Sequence, residues 1–218
     1  MIELWHCADA RSFRALWALE ELGLEYELKM LQFPPRVFKK DYLAENPLGT
    51  IPLLVDGDTR MTESAAIAHY LAMRHGGGKF TPAPQDATYG AYLNWLHHGE
   101  ATLTFPQTIY LRYTFLEQGE RRSPQVAEDY KKWFLARLRL LEQTLGDGRM
   151  YLLGDEFSMA DISVGYAILL AHSLHIEDEL PPLTVAWYAR LTQRPAFVAA
   201  QAKQREAAAA QGVEIAKF

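Results

Sequence analysis

The residues of this chain best suited to chemistry fall in short clusters, and Glu63-Ser64 is the clearest of them. The pair opens a helical pattern, where free backbone N–H groups and the helix dipole attract an anion. Ser64 adds a hydroxyl donor and Glu63 a carboxylate able to hold an ammonium, so together they could grip an amino-acid zwitterion. Thr62, Glu63 and Ser64 are also good first-turn residues, and on residue type alone ordinary helix capping is the preferred reading. His97-His98 and His172-x-x-His175 raise the question of a metal. Adjacent histidines face different ways on a helix, and an i,i+3 pair without a carboxylate partner is usually structural, so no metal site is expected. Cys7 is the only cysteine, which excludes an internal disulfide and a cysteine zinc cluster. A lone strand cysteine is usually a small buried hydrophobe rather than a nucleophile.

These residues need elements to position them. Ile2 to Cys7 reads as a strand, and Phe13, Leu16, Trp17, Leu19 and Leu22 mark a helix closed by Gly23. Tyr26, Leu28 and Met30 alternate along a second strand, making a parallel pair with a crossover helix. Pro34-Pro35 breaks the chain, and Val37 to Leu43 is a short helix at best. Asn46-Pro47 and Gly49 then punctuate a turn before the apolar run Ile51 to Val55. Asp56-Gly57 is a strong hairpin dipeptide, Arg60-Met61 returns, and Thr62 is expected to cap a helix through Ala65, Ile67, Ala68 and Leu71. Pro52 forfeits a ladder hydrogen bond and belongs to an edge, a strand start or a cis turn. The order is β-α-β-α-β-β-α, a thioredoxin-like arrangement over 1–76.

A flexible-then-stiff linker, 77–84, follows, and after it the strand signal vanishes. The remainder, 85–218, reads as an all-helical domain. A long pattern from Asp86 to about Gly119 contains Pro106, which should kink it by displacing the carbonyl of Thr102. Ser123-Pro124 starts a helix that ends at Gly146. Ser158-Met-Ala-Asp161 is a helix cap followed three residues later by an acid. Trp187, Leu191, Phe197 and Val198 belong to two terminal helices, and Ala207 to Ala210 is expected to fray.

Composition sets outer limits. A hydrophobic content of 49% in 218 residues is enough to bury a core, and a net charge of −5 offers no electrostatic footprint for nucleic acid. Apolar runs are too short to cross a bilayer, and no secretory signal follows Met1. No membrane association and a reduced, cytoplasmic setting are the expectation.

The string Asn46-Pro-Leu-Gly-Thr-Ile-Pro52, followed by a hairpin and Glu63-Ser64 opening a helix, resembles the glutathione-binding half of cytosolic glutathione transferases. Gly154-Asp-Glu-Phe-Ser-Met-Ala-Asp161 resembles the helix-capping motif of their second domain. The resemblance covers nearly the whole chain and is weakest over 112–125 and after Ala202. It implies that Pro52 is cis, that the backbone of Ile51 pairs with the cysteinyl unit of glutathione, and that Glu63-Ser64 holds the γ-glutamyl group. Lys39 or Lys40 would meet the glycyl carboxylate, and Glu100 is a candidate for a group lent to a partner subunit. The second substrate would lie between the domains, against Phe13, Tyr110, Tyr113 or Trp95.

Such enzymes present the glutathione thiol as a thiolate. A free thiol has a pKa of about 8.5, and lowering it by ~2 units needs about 2.7 kcal/mol of preference for the thiolate. A helix N-terminus contributes roughly 0.3–1 kcal/mol and a hydrogen bond to a charged group about 1.5–3 kcal/mol, so one good donor plus the dipole suffices. Aligned on Arg14, the family's usual serine position is Ala10 here, which has no side-chain donor. Ser12 is the nearest hydroxyl, the backbone N–H groups of Arg11 and Ser12 are the other choice, and the Arg11 side chain could help electrostatically.

The reading is a homodimeric glutathione transferase in which bound glutathione attacks a hydrophobic electrophile, with glutathione as co-substrate and no other cofactor. The alternatives are a glutathione-dependent disulfide oxidoreductase and a weakly catalytic glutathione- or ligand-binding protein.

Overall fold

The computed structural model describes residues 1–216. It contains two compact units, one of Met1–Thr81 joined by the chain from Thr192 onward, the other of Pro82–Leu191.

In the first unit the order is β1 (Ile2–His6), α1 (Phe13–Leu22), β2 (Tyr26–Met30), α2 (Pro35–Phe38), β3 (Leu53–Asp56), β4 (Thr59–Met61) and α3 (Ser64–Arg74), with a 3-10 turn over Lys40–Ala44. The strands form one sheet in the order β2-β1-β3-β4, with β1 parallel to β2 and antiparallel to β3. Ile2, Leu4 and His6 alternate inward along β1 as the two-residue period requires. On α1 every residue from Phe13 to Leu19 is buried, including Arg14. Gly23 ends this helix at φ +64, where its N–H and that of Leu24 return to carbonyls of the last turn. A side chain would be strained there. The cap of α3 is Glu63 rather than Thr62, one residue later than expected.

The same unit includes α9 (Pro195–Ala210), the last helix of the chain. The sequence places it in the helical domain, 85–218, and predicts that its alanines fray. Instead Phe197, Ala200, Gln204 and Ala208 form one buried stripe at helical spacing. Phe197 meets Phe13 and Trp17 edge-on at 5.4 and 4.9 Å. Arg194, at the cap of α9, forks onto Glu21 of α1 at 2.6 and 2.7 Å. Just past the helix, the Gln211 amide accepts the Met30 N–H at 2.9 Å and donates to the Leu28 carbonyl at 2.8 Å. One side chain thereby imitates a strand along the open edge of β2. Alanine buries little area per residue, so docking rather than hydrophobicity alone holds this helix in place.

The second unit contains α4 (Tyr89–His97), α5 (Phe105–Leu111), α6 (Pro124–Leu145), α7 (Met159–Ser173) and α8 (Pro182–Thr192). The expected long helix is present as α4 and α5 joined by a π turn over His98–Thr104, with a second π turn at Arg112–Leu116. Pro106, which lacks an N–H, is accommodated at the start of α5 after the widened turn. Thr104 donates its hydroxyl to the Gly99 carbonyl at 2.7 Å, satisfying one group that the turn displaces. Gly99 itself has no room for a Cβ, which would lie 2.5 Å from Ser163 of α7. Ser123 and Pro124 start α6 as expected.

Candidate active site

The loop from β1 into α1 is short and tightly bonded. The Ser12 hydroxyl accepts the Cys7 N–H at 3.2 Å and donates to the Cys7 carbonyl at 3.3 Å, and Ser12 is fully buried. The expected donor to a substrate thiol thus has its hydroxyl bonded within the loop, to the backbone of Cys7. Cys7 is buried too, and burial pushes its thiol far above the usual cysteine range, as befits a packing residue. Arg11 is half-buried at the start of α1, and the N–H groups of Phe13 and Arg14 are bonded to the Ala10 and Arg11 carbonyls.

Ala10 packs on a cluster of Cys7, Leu31, Tyr42, Ile51 and Leu53, so it and Ile51 share one patch. The Ile51-Pro52 bond is cis, as is Phe33-Pro34. The Thr50 carbonyl just before it receives hydrogen bonds from the Tyr42 hydroxyl and the Asn46 amide, both at 2.8 Å. Gly49 has φ +60, and a Cβ there would come within 2.9 Å of Arg36 and Leu43. The Asn-Pro-x-Gly string therefore fixes the approach to Ile51 through turn chemistry.

At the start of α3, Glu63 is exposed and makes no side-chain cap bond, while Ser64 is buried. Arg14 of α1 donates to the Ser64 hydroxyl at 3.1 Å. This bond links a residue in the first turn of α1 to the first residue of α3, and it adds a buried guanidinium to the positive end of α3. Arg14 is not among the site residues that the sequence predicts. Its signal was there: one charge inside the seven-residue run Phe-Arg-Ala-Leu-Trp-Ala-Leu cannot face water on a helix buried all round. Ser64 accepts from Arg14 and keeps its own O–H to donate.

Gln204 of α9 is the second residue that sequence reading missed. Its amide binds both the backbone and the side chain of Asp9, and also His6, from 195 or more residues away. A glutamine in an alanine-rich helix carries no local sign of such a role.

Lys39 stands outside this set. It is exposed, at the end of α2, and its ammonium pairs with Asp41 at 2.9 Å. Of the aromatic candidates, Phe13 and Trp95 are core residues, whereas Tyr110 and Tyr113 are half-exposed. Among the described residues no group of three or more His, Cys, Asp or Glu could hold a metal ion, and no helix is long and apolar enough to cross a membrane.

The first unit is thus a thioredoxin-like arrangement with a cis-proline ahead of β3, and the second is helical. Residues 1–73 match the family of glutathione S-transferase N-terminal domains, and 124–190 match the C-terminal domains of the same family. Glutathione S-transferase GstB of Escherichia coli K12 is 30% identical over 201 residues, covering 90% of this chain and 95% of that protein. Glutathione S-transferase 3 of Schizosaccharomyces pombe is 27% identical, covering 90% of this chain and 85% of that one. The solved theta-class glutathione S-transferase of Xanthomonas axonopodis pv. citri, with glutathione bound, has a TM-score of 0.76 at 26% identity, over 91% of this chain and 96% of that one. The chain belongs to the glutathione S-transferase family: it is a glutathione transferase, with glutathione as its co-substrate.

Proposed function

We propose that glutathione bound at the joined starts of α1 and α3 attacks a hydrophobic electrophile. Glu63 takes the γ-glutamyl ammonium, Ser64 and the positive end of α3 take its carboxylate, and the Ile51 backbone pairs with the cysteinyl unit beside Pro52. Lys39 offers its ammonium to the glycyl carboxylate. The thiol loses its proton to solvent. Its sulfur then bonds to the electrophilic carbon while the leaving group departs with the electron pair.

Ala10 leaves the sulfur open to the backbone. With the Ser12 hydroxyl turned inward, the N–H groups of Arg11 and Ser12, the dipole of α1 and the Arg11 charge stabilise the thiolate. Together these reach the ~2.7 kcal/mol that a shift of two units requires. The observation that carries this reading is the Arg14–Ser64 bond, which ties the first turn of α1 to the anion-attracting end of α3.

The test is the ultraviolet thiolate band of enzyme-bound glutathione, followed across pH, with turnover of an aryl halide and of a mixed disulfide. A lowered thiol pKa and aryl-halide turnover are expected. Disulfide turnover alone would make the protein an oxidoreductase, and an unshifted thiol with neither turnover would make it a binding protein.

A homodimer in the cytoplasm completes the proposal. In the first unit Val37, Phe38, Leu43 and Leu48 are exposed, an apolar group suited to burial against a second copy. Sedimentation equilibrium reporting twice the chain mass supports this, and a monomer at micromolar concentration overturns it.

A further inference from the structure

Asp9, between β1 and α1, has φ +54, a conformation that non-glycine residues rarely adopt without support. The support comes from Gln204, which is fully buried on α9. Its Oε1 accepts the Asp9 N–H at 3.1 Å, and its Nε2 donates to Asp9 Oδ1 at 2.7 Å, so one amide clamps backbone and side chain together. Oε1 also accepts from His6 Nε2 at 3.0 Å, and Nε2 also donates to Gln201 Oε1 at 3.0 Å. All four hydrogen-bonding positions of this glutamine are therefore in use. Acceptance by Oε1 fixes the proton of His6 on Nε2. Burial holds that imidazole neutral, with its pKa lowered to about 4.

The clamp also bears on charge. Asp9 is a carboxylate two residues from Arg11, and an anion there opposes formation of a second anion at the start of α1. Gln204, Gln201 at 3.4 Å and Arg205 at 3.9 Å draw it toward α9. Arg11 lies on the loop itself and Arg14 in the first turn of α1.

We propose that Gln204 is a positioning residue of the transferase reaction: from the last helix it sets the shape of the Cys7–Ser12 loop and turns the Asp9 carboxylate away from the thiolate. The proposal rests on the reading that the thiolate forms at the start of α1.

Gln204→Met keeps the length of the side chain and removes its hydrogen bonds. The expected result is an upward move of the bound thiol pKa by about one unit, with turnover falling about threefold at pH 7, approaching tenfold at lower pH, and recovering in alkali. The glutathione KM should stay within about twofold, because Glu63 and Ser64 are untouched. Asp9→Asn keeps an oxygen for the Gln204 amide and removes the charge, so it should move the thiol pKa downward. It also tests the idea if Gln204→Met folds poorly. An unmoved thiol pKa in both variants, against a lowered one in the parent, overturns the role of Gln204 alone. An unlowered thiol in the parent overturns the placement of the thiolate, and this proposal with it.

Discussion

The starts of α3 and α7 each combine a hydroxyl with a carboxylate, and they use them differently. At α7, Asp161 is three residues inside the helix and reaches back. Its Oδ2 accepts the N–H and the hydroxyl of Ser158, and its Oδ1 accepts the N–H of Leu152, all at 2.9 Å. That start is closed, and its polar groups are satisfied within the unit. At α3 the acid is the cap residue itself, Glu63 points to solvent, and the first-turn N–H groups are not bonded back by its side chain. A shift of three residues in the position of the acid separates a start that stabilises the fold from one that is open to a ligand.

Removing the acid should break the two starts in different currencies. Asp161→Ala strands two buried N–H groups and a hydroxyl, and the expected cost is about 3 kcal/mol or more by urea unfolding. The glutathione KM of the folded fraction should not change. A cost under about 1 kcal/mol would mean that water replaces the carboxylate and that the start is not closed.

Buried titration tests the contrast between the units at a second level. Burial raises the Asp161 carboxyl to about 6 and lowers His6 to about 4. Between the unfolded aspartate value and pH 6 the native state holds a proton on Asp161 that the unfolded chain has released, so this contribution is present in acid and lost as pH rises. Between about pH 4 and 6.5 the unfolded chain protonates His6 and the native state does not, so that contribution is lost as pH falls. Each is worth about 3 kcal/mol, with opposite sign in nearly the same window. These two groups together should therefore add little net slope to the parent's stability profile there. Asp161→Asn should expose the acid-labile slope of His6, and an unchanged profile in that variant would show that one of the two groups is not buried in solution.

Ser64→Ala and Glu63→Gln act on the open start. Ser64→Ala leaves the Arg14 guanidinium without that acceptor, so about 1–3 kcal/mol of stability and at least tenfold in glutathione KM should go together. Glu63→Gln should raise KM by a similar factor with stability within about 0.5 kcal/mol, since the side chain is exposed. Equal stability losses in the two would make α3 a closed start like α7. Ser12→Ala is expected to cost about 1 kcal/mol and to leave the bound thiol pKa within a few tenths of a unit, since the hydroxyl bonds only Cys7.

What the sequence conveyed follows the range of the interactions. The bounds of β1 and α1, the Gly23 stop, the Asp56-Gly57 hairpin and the Ser158–Asp161 cap all depend on residues within a few positions of one another. Their patterns survive in one dimension. Ser12, Arg14 and Gln204 do not work that way. Whether a hydroxyl in a first turn faces inward depends on the carbonyl that the preceding strand presents. Whether an arginine lies under a helix depends on the helix that covers it. Gln204 was hidden further by its neighbours: Ala200, Gln204 and Ala208 make a buried stripe too weakly apolar to stand out from an exposed alanine helix.

Lys39 sharpens the comparison from its weak end, as a charge that no helix start supports. It is exposed, and Asp41 at 2.9 Å competes for its ammonium. An exposed pair of this kind contributes little and is screened within about 8 Å at physiological salt. Lys39→Ala should therefore raise the glutathione KM only about two- to threefold at low ionic strength, and by nothing measurable in about 1 M salt. Asp41→Asn, which frees the ammonium, should lower KM by a similar factor under the same low-salt conditions. The effect at Glu63 should persist in salt, because the ammonium it holds is also oriented by the carboxylate seated on the α3 N-terminus beside it. If Lys39→Ala instead costs tenfold and salt does not reduce the loss, the ammonium is desolvated in the complex. The α2 segment must then close over the glycyl carboxylate when glutathione binds.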